Sequence, residues 1–263
     1  MQAQLSVLAA VRRALGVLLG NLPIFLLLAV FLAVPSTALT DWLTEVFLDF
    51  NKHWLIPRDV MIDKQIASIL CMSLADIVAL PLDLVLKTIA VAVAIRVFVV
   101  ARDGGSPGVG DAFGYAMNNF GRLFKPFAVA QLIIFVGSLV YIPGILYGLF
   151  YAFVAPVVLL DRGVVRPLRR STRLTRGRRG RIFRIYLLFF PLWGPLAMLG
   201  PLWLPNQHYA VAWAAWSANG LLWFVIVMAV LQLYFERMDQ LHALLEGQQA
   251  KEPPADGALK SKA

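Results

Sequence analysis

Three ionisable side chains, Asp76, Asp83 and Lys87, stand inside an apolar stretch that runs from residue 66 to residue 102. Asp83 and Lys87 are four residues apart, which places them on one face of a helix. Ionisable groups inside hydrocarbon are costly unless they are paired. Two readings follow. The pair is a proton or ion site, with Asp76 seven residues back on the same face, or it neutralises itself and faces neighbouring helices. A second concentration of charge lies at 161–184, where ten arginines meet a single acid, Asp161. Clusters of this kind beside a membrane segment anchor its orientation and attract anionic headgroups. The candidate headgroup contacts are Arg166, Arg169, Arg170, Arg173, Arg176, Arg178 and Arg179.

Other chemistry finds little support. His53, His208 and His242 are far apart and make no metal-ligand spacing. Cys71 is the only cysteine, so no intramolecular disulfide can form. No nucleophile elbow, P-loop or HExxH pattern is present. Neither a catalytic activity nor a cofactor or metal is expected. No aromatics interleave with the arginines, which argues against nucleic acid as the partner.

The elements that must position these groups are set by composition. Of 263 residues, 60% are hydrophobic and 15% charged, the net charge is +9, and the mean hydropathy is +0.73. Soluble domains are about a quarter charged. The shortfall excludes a soluble enzyme, a secreted disulfide scaffold and a disordered chain. The apolar residues fall in runs of bilayer length. The expected class is all-α: a polytopic integral membrane protein with six transmembrane helices and interfacial amphipathic helices.

Residues 2–19 read as an interfacial helix with Arg12 and Arg13 on its polar side. Pro23 suits the first turn of the next helix, and span one covers about 22–39. The loop 40–65 carries a net charge of −2. Within it Trp42, Leu43, Val46, Phe47, Phe50 and Trp54 recur at helical spacing, as a second interfacial helix. Residues 66–102 would make a helix about 55 Å long against about 30 Å of hydrocarbon. One long helix kinked at Pro81 is favoured over two short spans, because Pro81-Leu82-Asp83 is a poor turn. After the break Gly104-Gly105-Ser106-Pro107-Gly108, Val109, Phe113, Met117, Phe120 and Phe124 mark a third interfacial helix over 109–124. Spans three and four, about 127–142 and 145–160, are joined by a tight turn at Pro143-Gly144. Pro167 starts a short arginine helix that Gly177 ends. Span five, about 185–204, holds Pro191, Gly194, Pro195, Gly200 and Pro201 and is expected to be kinked or partly unwound. Span six covers about 211–235. The membrane domain is thus 1–245, and 246–263 reads as a disordered cytoplasmic tail.

Short basic loops stay in the cytoplasm, so the 161–184 loop and, counting through six spans, both termini are placed there. Arg12, Arg13, Arg102, Arg122 and Lys125 then fall on the same side, while the acidic 40–65 loop faces out. Trp203, Tyr209, Trp213 and Trp216 mark the outer edge. An interfacial helix precedes each pair of spans. That order is either three helix-plus-hairpin repeats or the common occurrence of interfacial helices before spans.

Ile142-Pro143-Gly144-Ile145, then Ala155-Pro156-Val157-Val158-Leu159-Leu160-Asp161, then Pro167-Leu168-Arg169-Arg170-Ser171-Thr172-Arg173-Leu174-Thr175-Arg176-Gly177, form an ordered series. The series resembles the YciC-type bacterial membrane proteins and the membrane domain of some glycerophosphodiester phosphodiesterases. The likeness is specific over about 100–185. It implies a six-span bacterial inner-membrane protein and no catalytic residue, since the phosphodiesterase of that group is a separate soluble barrel. The expected function is non-enzymatic: binding or organising anionic membrane lipids through the arginine loop. The alternatives are a small-molecule or ion transporter using Asp76, Asp83, Lys87 and the broken span five, and a subunit of a larger membrane complex. Expected partners are lipids of the cytoplasmic leaflet, with a membrane-protein partner or a second copy of the chain as further options.

Overall fold

The computed structural model describes residues 6–50, 64–138, 140, 142–161, 163–203 and 209–249. Among them there is no strand, and the helices are α1 (Val7–Gly20), α2 (Leu22–Phe50), α3 (Lys64–Arg102), α4 (Val109–Ser138), α5 (Ile142–Tyr151), α6 (Val154–Leu160), α7 (Pro167–Thr175), α8 (Arg179–Trp203) and α9 (Tyr209–Gln249). Among the described residues, four segments are long and apolar enough to cross a membrane: Leu74–Arg102, Val109–Ser138, Ile142–Leu160 and Ser217–Leu244. A fifth arises if α1 and the start of α2, bent by 91° at their junction, count as one broken span. These lengths and compositions are those of a membrane protein.

Ser6 caps α1 by accepting a hydrogen bond from the Ala9 N–H at 3.2 Å. Asn21 closes it: its backbone N–H reaches Val17 O and Leu18 O, and its side-chain amide donates to Val17 O at 3.0 Å. Because Asn21 is the one residue between α1 and α2, the right-angle bend is made there. Ala10, Val11, Ala14 and Leu18 form the buried face of α1, packed largely against α9, while Arg12 and Arg13 are exposed. Their spacing is that of one helical face.

Prolines do not end the long helices. Pro35 lies inside α2, Pro81 inside α3 and Pro126 inside α4. The expected boundaries therefore change. The interfacial helix placed at 42–54 is a continuation of α2 to Phe50, and Trp54 lies outside the described residues. The interfacial helix 109–124 and the expected third span as far as Ser138 are one helix, α4, and Ile142 already belongs to α5. Residues 185–203 belong to α8, which starts earlier at Arg179 and is continuous through Pro191, Pro195 and Pro201 rather than unwound, and Leu204 lies outside the described residues. Span six is part of the 41-residue α9, whose helix reaches Gln249, so 246–249 are not tail. A proline removes one intrahelical hydrogen bond, but ending the helix would strand several more in a medium that offers no replacement. That asymmetry keeps the helices running. The 66–102 stretch lies within one helix, α3, with Pro81 inside it.

The hairpin between α4 and α5 turns ahead of Pro143-Gly144, not at it. Ile142 N–H donates to Val140 O at 2.7 Å, and Pro143 and Gly144 occupy the first turn of α5. Gly144 serves close approach: a Cβ there would lie 2.5 Å from Ser138 Cα, and one on Gly137 would lie 3.0 Å from Gly144 N. The stretch 145–160 is broken in two, with α6 following α5 after Ala152-Phe153.

The main core gathers side chains from all these helices, with Tyr234, Phe25, Phe98, Phe153 and Phe224 its largest enclosed members. In α3 every residue from Ile89 to Ile95 is buried, so that segment is surrounded on all sides. Its small alternating residues Ala90, Ala92 and Ala94 let neighbouring helices approach closely. Away from this core, Leu43 of α2 packs on Ala75 and Ala79 of α3, flanked by Leu39 and Phe47. The 42–50 stripe thus faces α3 on one side, while Trp42, Val46 and Phe50 remain exposed.

Candidate functional site: the basic end of the bundle

Helix α7 is nine residues long and begins at Pro167, whose missing N–H is harmless in a first turn. Gly177, at φ +84°, provides the left-handed residue that follows its end. Ser171, Leu174 and Thr175 are its buried face. Ser171 Oγ donates to Phe150 O of α5 at 2.9 Å. Arg169 and Arg173 lie on the opposite, exposed side, with Arg166 and Arg176 exposed at the two ends. Among the described residues these four make no ion pair or hydrogen bond through their side chains.

The remaining candidate arginines have other roles. Arg178 has a side chain 6% exposed; its Nη1 lies 3.0 Å from Glu236 Oε1. Its Nη2 donates to Gln240 Oε1 at 2.6 Å. Arg181 Nη1 reaches the same Glu236 oxygen at 2.9 Å, so one carboxylate of α9 bridges two guanidiniums. Burial pushes the Arg178 guanidinium below its ordinary value, Glu236 pulls it up, and Arg181 and Arg237 push it down. Arg179 covers the Phe150 ring at 4.1 Å and donates to Thr172 O at 3.4 Å. Arg170 Nε donates to Asp161 Oδ2 at 3.3 Å, and the other Asp161 oxygen accepts from Tyr234 Oη at 2.6 Å. Arg178, Arg179 and Arg170 therefore fasten the arginine segment to α5, α9 and Asp161, while Arg166, Arg169, Arg173 and Arg176 face outward.

The other cations collect around the same end. Arg102 pairs with Asp239 of α9 at 3.1 Å and lies over Phe235. Arg96 pairs with Asp111 across the α3–α4 turn at 3.1 Å. Arg122 donates to Val158 O of α6. Sequence reasoning missed the partners: the acceptors Glu236, Asp239 and Gln240, and the donor Tyr234. Their signal was present as Tyr234-Phe235-Glu236-Arg237-Met238-Asp239-Gln240, a polar run directly after an apolar span. Two acids on the basic side of a span point to ion pairing with the basic segment.

Asp83 and Lys87 form an ion pair at 2.6 Å, with side chains 24% and 40% exposed. Asp76 lies two turns away on the same helix, exposed, near the first residue of the segment Leu74–Arg102. The helix joins the three residues, but no other charged side chain among the described residues converges on them. Pro191 and the prolines beyond it sit in continuous helix, so they open no broken-helix site.

No protein-family model, curated protein or solved structure matches this chain. The class that fold and site define is an all-helical membrane protein with four or five candidate spans and a basic end gathered on α9.

Proposed function

We propose that the chain is a non-enzymatic, YciC-type protein of the bacterial inner membrane that binds or organises anionic lipids through the exposed face of α7. In this reading α8 and α2 complete six spans, the helix-plus-hairpin repeats reduce to a shared order of elements, and the basic end with both termini is cytoplasmic. The observation that carries it is the outward set Arg166, Arg169, Arg173 and Arg176, beside a set of arginines already paired within the bundle. Orientation alone does not require cations of two kinds. The close Asp83–Lys87 pair supports self-neutralisation over ion transport at those residues.

The test uses proteoliposomes of phosphatidylcholine carrying a trace of spin-labelled lipid. The fraction of label immobilised by the protein is compared for phosphatidylglycerol and phosphatidylcholine. Basic side chains near an anionic surface contribute about 1 kcal/mol each. Replacing Arg166, Arg169, Arg173 and Arg176 by Gln should remove most of the phosphatidylglycerol preference and its salt dependence. An unchanged preference would refute the lipid reading.

A further inference from the structure

A different set of polar groups converges away from α7. Between α1, α3 and α9 a cavity of about 450 Å³ is lined by Arg13, Val17, Phe98, Ala101, Arg102 and Gln232. That volume lies in the range of small-molecule sites. Arg102 is held in place from two sides. Its Nη2 donates to Asp239 at 3.1 Å, and its plane covers Phe235 at 4.2 Å, itself stacked on Phe98. Its Nε and Nη1 hydrogens have no acceptor among the described residues. Arg13, on the exposed side of α1, likewise has no ion pair or hydrogen bond to a described residue. Gln232 is 5% exposed, and its amide has no hydrogen-bond partner among the described residues. Two cations and an unpartnered amide therefore present donors to one space whose other walls, Val17, Phe98 and Ala101, are apolar.

The lining holds two cations and no acid. Asp239, outside the lining, pairs with Arg102, which leaves one positive charge without a counter-ion. A singly charged anion with several acceptor oxygens and an apolar extension satisfies all of these groups at once. We propose that this cavity binds a singly charged phosphate group, with the arginines and Gln232 donating to its oxygens and any attached hydrocarbon lying on Val17 and Phe98. Arginine's forked donors suit phosphate oxygens, and the bonds are charge-assisted. The site uses α1, α3 and α9, so it stands or falls independently of the α7 surface.

The full chain, purified in a neutral detergent, is titrated with dioleoyl phosphatidylglycerol or dioleoyl phosphatidylcholine and read by native mass spectrometry. In parallel, its melting temperature is followed against inorganic phosphate. The expected result is one phosphatidylglycerol retained per chain that phosphatidylcholine does not displace. Arg13→Gln removes a charged donor and should weaken this binding about tenfold. Ala101→Phe narrows the cavity without changing charge and should also weaken the binding. The four-arginine α7 variant should keep the single bound lipid, which separates failure of this site from failure of the α7 reading. If inorganic phosphate stabilises the chain through Arg13 as strongly as the lipid does, the site is confirmed and its ligand is a soluble phosphate. If neither probe binds one to one, or if Arg13→Gln binds both as the parent does, the proposal is overturned. Arg13 is exposed on α1, so its replacement decides the matter even where Ala101→Phe does not fold.

Discussion

Glu236→Gln is the sharpest perturbation of the basic end. The glutamate side chain is 9% exposed and lies 3.0 Å from Arg178 and 2.9 Å from Arg181, whose side chains are 6% and 17% exposed. Glutamine keeps the shape and one acceptor but removes the negative charge that the Arg178 and Arg181 guanidiniums share. Removing one partner of a buried pair costs about 3–5 kcal/mol. Leu233 O and Gln240 Oε1 remain as acceptors for Arg178, which favours the lower end. For a chain of this size, about 3 kcal/mol corresponds to a fall in Tm of about 6–12 °C. The assay is thermal unfolding of the purified protein in detergent, followed by loss of the monodisperse peak. Combining Arg178→Met, Glu236→Leu and Arg181→Met should bring Tm back toward the parent, because well-packed apolar groups often replace a buried ion cluster at little cost. An unchanged Tm for Glu236→Gln would refute the claim that this carboxylate holds the arginine segment to α9.

The same reasoning gives three further outcomes. Asp83→Leu or Lys87→Leu alone should lower Tm by leaving an unpaired charge on α3, whereas the double change should restore it; equal stability of single and double variants would show that the 2.6 Å pair is unimportant. Gly144→Ala should destabilise by about 1–3 kcal/mol, since the new methyl meets Ser138 backbone, while Gly148→Ala on the same helix meets nothing within 4 Å and should be neutral or slightly stabilising in the same melt. Val165 is 90% exposed beside α7. In a Cys71→Ala background, Val165→Cys should react with a membrane-impermeant maleimide in inverted vesicles and not in intact cells; the reverse pattern would invert the proposed orientation.

Much of the architecture follows from composition and local pattern alone. The membrane class comes from apolar runs that water cannot solvate, and no tertiary contact is needed to read it. Pro167 and Gly177 bound α7 by local backbone chemistry, so both ends are readable. The unbroken α3 is readable because Pro81-Leu82-Asp83 makes a poor turn. Helix ends near Pro35 and Pro126 are not readable, for the opposite reason. A proline's local effect is the same in water and in lipid, but the cost of stopping there depends on what else surrounds the backbone.

Sequence by itself determined that the chain is helical and built for a membrane, and that its excess charge lies in one segment, since 161–184 carries the full +9. It could not sort the arginines in that segment, because guanidiniums one or two residues apart are chemically identical. Only the tertiary structure decided that Arg178 turns inward to Glu236 while Arg176 faces outward, and that Arg13 and Arg102, far apart in the chain, line one cavity with Gln232. Ion pairing and cavity lining depend on which helices pack together. That packing brings α9 against α1 across nearly the whole chain, and no local pattern encodes it.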